Sequence, residues 1–165
     1  MIKLIVLDVD GTLTDGGIFH TNDGDELKAF DVKDGLGVAS WSKMLGKKSA
    51  IITGRKSKLL EKRASELGIT HLHQGIHNKD EVLQSILDEE GIKWHEVAAI
   101  GDDLNDYKML QKVGLSFAPN DASHYIKDMV KVVCSKNGGK GAVREMVEYI
   151  LKNQNEEEEF LKLWV

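Results

Sequence analysis

Short apolar runs alternate with amphipathic segments along this chain, and that alternation restricts it to βαβ units wound about a mainly parallel sheet. The runs predict strands over residues 2–7, 49–52, 70–73, 97–100, 115–117 and 130–133. Helical spacing recurs between them in Leu60, Ala64 and Leu67, in Val82, Leu83, Ile86 and Leu87, and in Val143, Met146, Val147, Ile150 and Leu151. The first run, Ile-Lys-Leu-Ile-Val-Leu, suits the middle of such a sheet, because an interior parallel strand is covered on both faces.

A chain of 165 residues is long enough for one ordinary domain and too short for two. The expected organisation is a single catalytic domain over residues 1–152, with a β-hairpin insertion at about 17–31 and a tail at 153–165. The hairpin is predicted from residues 17–21 and 26–31 flanking the polar turn Asn22-Asp23-Gly24-Asp25. It carries Ile18, Phe19, Leu27 and Phe30, and a two-stranded ribbon is marginal alone, so it must pack on copies of itself or on its own domain. The tail sets Phe160, Leu161, Leu163, Trp164 and Val165 behind four consecutive glutamates. Docking on a neighbouring subunit is expected, with a frayed terminal helix as the alternative.

Charge and composition exclude several classes. A net charge of -5 argues against a nucleic-acid partner, which would need a concentrated excess of Lys and Arg. No apolar stretch approaches the length of a membrane span, and residue 1 leads directly into a strand with no leader pattern, so a cytoplasmic protein without a membrane partner is expected. Cys134 is the single cysteine and follows Val130, Val132 and Val133, which fits buried packing better than redox work.

The chemistry lies where the strands end. Asp8-Val9-Asp10-Gly11-Thr12 follows the first run, and ligands of open α/β sheets bind beyond the carboxyl ends of the strands. Two neighbouring carboxylates repel unless a cation or a shared proton relieves them. A hard divalent cation such as Mg2+ would take a carboxylate, a backbone carbonyl and a distant carboxylate, with water and phosphate completing its shell. After the second strand, Thr53 and the Gly54 N–H can hold phosphate oxygens, with Arg55 next in line. Lys79, after the third, sets a cation against the same phosphate. After the fourth come Asp102, Asp103, Asn105 and Asp106, a density of acid that needs a cation nearby.

In order and placement these residues resemble the four motifs of the haloacid-dehalogenase phosphatase superfamily. The resemblance implies a Rossmann-like three-layer α/β fold with a central parallel sheet, no cap domain and a projecting hairpin. It implies that Asp8 is the nucleophile, that Asp10 is the general acid and base, and that Mg2+ is held by Asp8, the Asp10 carbonyl and Asp102. Asp103 and Asp106 then orient Lys79 or water on the metal. The segments at 24–35, 51–56, 67–72 and 138–145 further resemble the 3-deoxy-D-manno-octulosonate 8-phosphate phosphatase family. Its members form tetramers through their hairpins and close each site with a neighbouring subunit.

That resemblance implies an acidic sugar phosphate of lipopolysaccharide precursor synthesis as substrate. Arg55 and Arg63 are the candidate cations for its carboxylate, Arg63 from a neighbouring subunit, with Asp34 and Gly138, Gly139 and Gly141 at the rim. A nine-carbon keto-sugar acid 9-phosphate is the alternative substrate, although its phosphatases tend to carry an acid where Arg55 stands. A receiver-like phospho-acceptor domain is the alternative of another class, but it would place its acceptor further along the chain. His71, His73 and His77 lack the partners of a zinc site, and Trp41, Trp94 and Trp164 are scattered as packing residues are.

Overall fold

The computed structural model describes residues 1–165. Six strands form one parallel sheet: β1 (Leu4–Leu7), β4 (Lys48–Ile52), β5 (His71–His73), β6 (Val97–Ile100), β7 (Leu115–Ala118) and β8 (Val132–Val133). Their spatial order is β5-β4-β1-β6-β7-β8. The chain therefore winds outward from β1 in one direction, returns, and winds outward in the other. Strand order reverses beside β1, which is where a doubly wound sheet opens a crevice at its carboxyl edge.

Alternation along the strands builds two apolar layers. Ile5 and Leu7 face a cluster with Val38 from α1 (Val32–Ala39), Leu60 and Ala64 from α2 (Lys58–Leu67), and Val143, Met146 and Ile150 from α6 (Ala142–Asn153). Leu4 and Val6 face the other way, onto Leu83 and Ile86 of α3 (Lys79–Glu90), Met109 of α4 (Tyr107–Lys112) and Ile126 of α5 (His124–Lys127). The three-layer α/β arrangement is thus the one expected. Trp41 lies fully inside the first layer with its indole N–H donated to the Lys48 carbonyl, and Cys134 is buried, its thiol pushed up to about 12 by burial.

β4 and β7 are each one residue longer than expected, and three other strands start later than expected, each for a local reason. Residues 2 and 3 are outside β1: the Ile2 N–H goes to the Gln154 side chain and the Lys3 N–H to the Glu96 carbonyl. At the start of β5, the Thr70 N–H already bonds the Ser49 carbonyl, yet regular pairing begins only at His71. Before β8, Val130 closes the end of α5 through the Ile126 carbonyl, and the Ser116 hydroxyl takes the Lys131 N–H.

The hairpin is present but shorter than predicted, with β2 (Phe19–His20) paired to β3 (Glu26–Leu27). Gly24, at φ 86°, makes its turn. Beyond Leu27 the chain bends inward, and Asp31 ends the excursion by accepting the Lys33 and Asp34 N–H groups as the cap of α1. Its apolar residues divide: Phe30 packs on the domain's own core, whereas Phe19 and Leu27, opposite one another, remain exposed.

The tail forms α7 (Glu157–Lys162) and folds back on its own chain. Phe160 and Leu163 join the α6 side of the core, the Arg144 guanidinium lies 5.8 Å from the Phe160 ring centre, and Glu156 pairs with Lys47 at 2.8 Å. Intramolecular packing therefore accounts for these two apolar residues, which were expected to seek a neighbour; Leu161 and Trp164 stay exposed. Phe160→Ala should cost about 3 kcal/mol and lower Tm by roughly 6–12 °C in a thermal melt. An unchanged Tm would mean that the tail does not dock.

Candidate active site

Register brings the strand ends to one level. Leu7 lies between Ile51 and Ile100, and the Asp8 N–H donates to the Ile100 carbonyl at 3.2 Å. Asp8, Thr53 and Asp102 therefore leave adjacent strands at the point where strand order reverses. With Asp10, Gly54, Arg55, Asp103, Leu104 and Asn105 they line a cavity of about 410 Å³.

The turn after β1 is held from inside by Thr14, whose hydroxyl accepts the Gly11 and Gly16 N–H groups and reaches the Val9 carbonyl. Gly11, at φ 95°, must be glycine on two counts: the backbone is left-handed, and a Cβ would strike the Asp102 carboxylate. Gly138 and Gly139 pack on this turn, and the Gly139 N–H bonds the Thr12 carbonyl at 2.9 Å. These glycines support the site from behind.

Lys79, the first residue of α3, is 1% exposed and places Nζ 2.6 Å from Asp8 Oδ1 and 2.6 Å from Asp106 Oδ1. Burial opposes its charge, yet the two carboxylates hold the ammonium above the usual lysine range. Asp106 is fully committed: its other oxygen accepts the Asp102 and Asp103 N–H groups at 3.0 and 3.4 Å. Burial pushes Asp8 up to about 6 against the pull of Lys79, and burial with neighbouring carboxylates does the same to Asp102 and Asp106.

Carboxylate oxygens of Asp8, Asp102 and Asp106 lie within 4.8 Å of one another. Because both Asp106 oxygens are taken by Lys79 and backbone, Asp8 and Asp102 are the carboxylates left for a cation. The Asp10 carbonyl accepts no backbone hydrogen bond and remains available beside them. This all-oxygen donor set fits a hard divalent ion such as Mg2+.

Several residues predicted for the site lie elsewhere. Asp34 is buried away from the cavity, where its carboxylate accepts the Gly141 and Arg144 N–H groups at 3.3 and 2.8 Å. It caps the start of α6 and is not among the residues that line the cavity of one chain, where a place at the substrate rim was expected. Arg63 is also outside the cavity formed by one chain: its guanidinium lies 5.3 Å from the Phe30 ring centre and bonds the Asp31 carbonyl at 3.4 Å. Asp103 lines the cavity but is turned to the Leu104 N–H, at 2.8 Å, and makes no contact with Lys79. His71 bonds Glu90 at 2.7 Å and stacks beside His73.

Two hairpin residues were missed. Lys28 Nζ is 2.7 Å from Asp10 Oδ1, and Glu26 Oε1 is 2.5 Å from Arg55 Nη2. The signal was the period of two in Glu26-Leu27-Lys28, which sends charge to one face and Leu27 to the other.

A doubly wound sheet that ends in paired aspartates, a buried lysine and a threonine-glycine turn defines a class of phosphoryl-handling hydrolases. The chain belongs to the haloacid dehalogenase-like hydrolase family, whose family model matches residues 51–146. Within it the chain is 46% identical over 160 residues to 3-deoxy-D-manno-octulosonate 8-phosphate phosphatase KdsC of Escherichia coli, covering 96% of this chain and 84% of that one. The crystal structure of the Yersinia pestis 3-deoxy-D-manno-octulosonate 8-phosphate phosphatase is similar with a TM-score of 0.92 and 44% identity, over 95% of this chain and 84% of the other. The Moraxella catarrhalis phosphatase of the same name, in complex with magnesium, phosphate and KDO, has a TM-score of 0.95 and 41% identity, over 99% and 94% of the two chains.

Because the three buried carboxyls sit near 6 in the folded chain and ordinary aspartate near 4, the metal-free fold holds protons more tightly than the unfolded chain. Their contribution makes stability fall as pH rises from about 4 to 6. A divalent cation needs the ionised forms, so Mg2+ at about 100 times its Kd should stabilise the protein by about 2.7 kcal/mol above pH 7, or roughly 5–10 °C in Tm. The gain should shrink below pH 6, as read by paired melts with Mg2+ and with chelator. A gain that did not depend on pH would place the ion elsewhere.

Proposed function

We propose that this protein hydrolyses 3-deoxy-D-manno-octulosonate 8-phosphate to the free sugar acid and phosphate, in lipopolysaccharide precursor synthesis, with Mg2+ and through an aspartyl phosphate on Asp8. The observation that carries the reading is the Asp8 carboxylate fixed by Lys79 at a crevice shared with Asp10, Thr53 and Asp102. The relatives named above, one of them holding magnesium, phosphate and KDO, support the substrate.

Asp8, the Asp10 carbonyl and Asp102 would hold Mg2+, which supplies charge neutralisation for an anionic nucleophile meeting a phosphate dianion. Lys79 adds a second positive charge from behind. Thr53 and the Gly54 N–H bind phosphate oxygens. An Asp8 oxygen forms the new bond to phosphorus as the bond to the sugar oxygen breaks, and that oxygen takes its proton from Asp10. In the second half Asp10 accepts a proton from water, whose oxygen attacks phosphorus and releases Asp8.

Arg55 is the cation for the substrate carboxylate, and binding replaces Glu26 as its partner. An arginine at this position favours the eight-carbon acid over a nine-carbon one. We further assign residues 1–152 to the catalytic domain, place the protein in the cytoplasm, and read it as a homotetramer joined through the exposed Phe19 and Leu27 of its hairpins, with Arg63 serving a neighbour's site. No helix is long and apolar enough to cross a membrane.

Asp8→Asn should abolish turnover, and Asp10→Asn should lower kcat by about 10²–10⁴-fold. Phosphate release with Mg2+ should be fastest on 3-deoxy-D-manno-octulosonate 8-phosphate in a panel that includes a nine-carbon keto-sugar acid phosphate, hexose phosphates and phosphoglycolate. Preference for the nine-carbon acid would move the assignment to that substrate, and one stoichiometric phosphorylation without turnover would make the protein a phospho-acceptor.

A further inference from the structure

The hairpin sends two charged side chains toward the crevice, and one of them has no part in the chemistry described so far. The Lys28 side chain is 1% exposed although it stands on a two-stranded projection. Withdrawing an ammonium from water costs several kcal/mol unless carboxylates surround it. Lys28 meets that requirement with Asp10 Oδ1 at 2.7 Å and Glu26 Oε2 at 3.9 Å. Glu26 in turn holds Arg55, and this contact keeps the Glu26 carboxyl below its ordinary range. Charges therefore alternate from Asp10 through Lys28 and Glu26 to Arg55, from the proton donor to the cation assigned to the substrate.

The two aspartates of the first motif thus have separate lysines. Lys79 serves Asp8 and Asp106 from the helical side, and Lys28 serves Asp10 from the hairpin side. Lys79 makes its two short contacts with Asp8 and Asp106 and none with Asp10.

The consequence for Asp10 is orientation. Its Oδ1 is buried against Lys28, out of hydrogen-bond alignment, so the contact is an ion pair. Asp10 nonetheless lines the cavity, and with Oδ1 paired to Lys28 the oxygen left for a substrate is Oδ2.

We propose that Lys28 is a positioning residue for Asp10: by pairing with Oδ1 it directs the proton-bearing Oδ2 at the leaving oxygen of the sugar phosphate. The inference rests on Asp10 being the general acid. The proton still passes from Asp10 Oδ2 to the leaving oxygen as the phosphorus–oxygen bond breaks, and Lys28 neither gains nor loses one.

The leaving group provides the test. A sugar alkoxide must be protonated as it departs, whereas p-nitrophenolate leaves as a stable anion. Lys28→Met should lower the single-turnover rate of sugar release from 3-deoxy-D-manno-octulosonate 8-phosphate by about 100-fold, the scale on which a displaced catalytic group acts. The burst rate of p-nitrophenolate release from p-nitrophenyl phosphate should change by less than about threefold, because proton donation contributes little to that step, whereas hydrolysis of the aspartyl phosphate, with Asp10 as base, is common to both substrates. Lys28→Arg should restore most of the sugar phosphate rate. Adding Lys28→Met to Asp10→Asn should lower the rate no further, since the two side chains act as one unit.

Equal losses on both substrates, or a change confined to KM, would overturn the proposal in favour of a role in binding or hairpin structure. Asp10→Asn alone separates the two levels: if it slows the first-step release of the sugar and of p-nitrophenolate equally, the general-acid reading fails. If it spares the p-nitrophenolate burst while Lys28→Met does not, only the inference about Lys28 fails. Should the Met variant not fold, Lys28→Gln, one atom shorter, keeps a donor without the charge and carries the same comparison.

Discussion

Three carboxylates crowd together at the end of the sheet, two of them on one buried ammonium, and the surrounding structure is arranged to make that tolerable. Asp8, Asp102 and Asp106 each lose hydration there, and Lys79 alone returns positive charge to the cluster from within hydrogen-bond distance. With all three acids ionised, three negative charges against one positive leave a net charge of -2, which is the charge a divalent cation cancels. Lys79 is thus both the reason the cluster survives folding and the reason it remains short of neutral. Gly11 and Gly101 follow from the same crowding, because a Cβ at the first would meet Asp102 and at the second Asp106.

Asp106 shows how such a cluster is divided between structure and chemistry. A carboxylate with two backbone N–H donors on one oxygen and an ammonium on the other keeps at most one free lone pair, and Asp106 is not among the residues that line the cavity. It closes the turn after β6 and fixes Lys79 in place, and Lys79 then fixes Asp8. Proximity alone would make Asp106 a metal ligand. Hydrogen-bond accounting assigns it to the lysine.

The layers and the strand ends were legible because they are local signals. A run of apolar residues, a break at Gly, Asp or Thr, and an amphipathic stretch place Asp8, Thr53, Lys79 and Asp102 at one sheet edge whatever the finer packing. Asp34 was not legible, since its partners are N–H groups more than a hundred residues away at the start of α6, and an acid near glycines reads equally well as a rim residue. The tail failed for a similar reason: terminal apolar residues announce that they must be covered, but not whether the cover belongs to the same chain. Lys28 was overlooked because the period of two in Glu26-Leu27-Lys28 gives the face it shares with Glu26 but not what that face meets.

The hairpin draws these threads together, since its pleat gives one short strand two unlike faces. Glu26 and Lys28 turn inward to Arg55 and Asp10, and Leu27 turns outward opposite Phe19. A ribbon with two-residue strands has little stability of its own, so its inner face is held by the ion pairs it makes with the crevice. Its outer apolar pair gains in the same way from any surface that covers it. Contacts on the outer face would therefore restrain the backbone that carries Lys28, and the geometry of Asp10 would follow. A surface that covered Phe19 and Leu27 would carry its restraint, through one alternation of side chains, to the contact between Lys28 and Asp10.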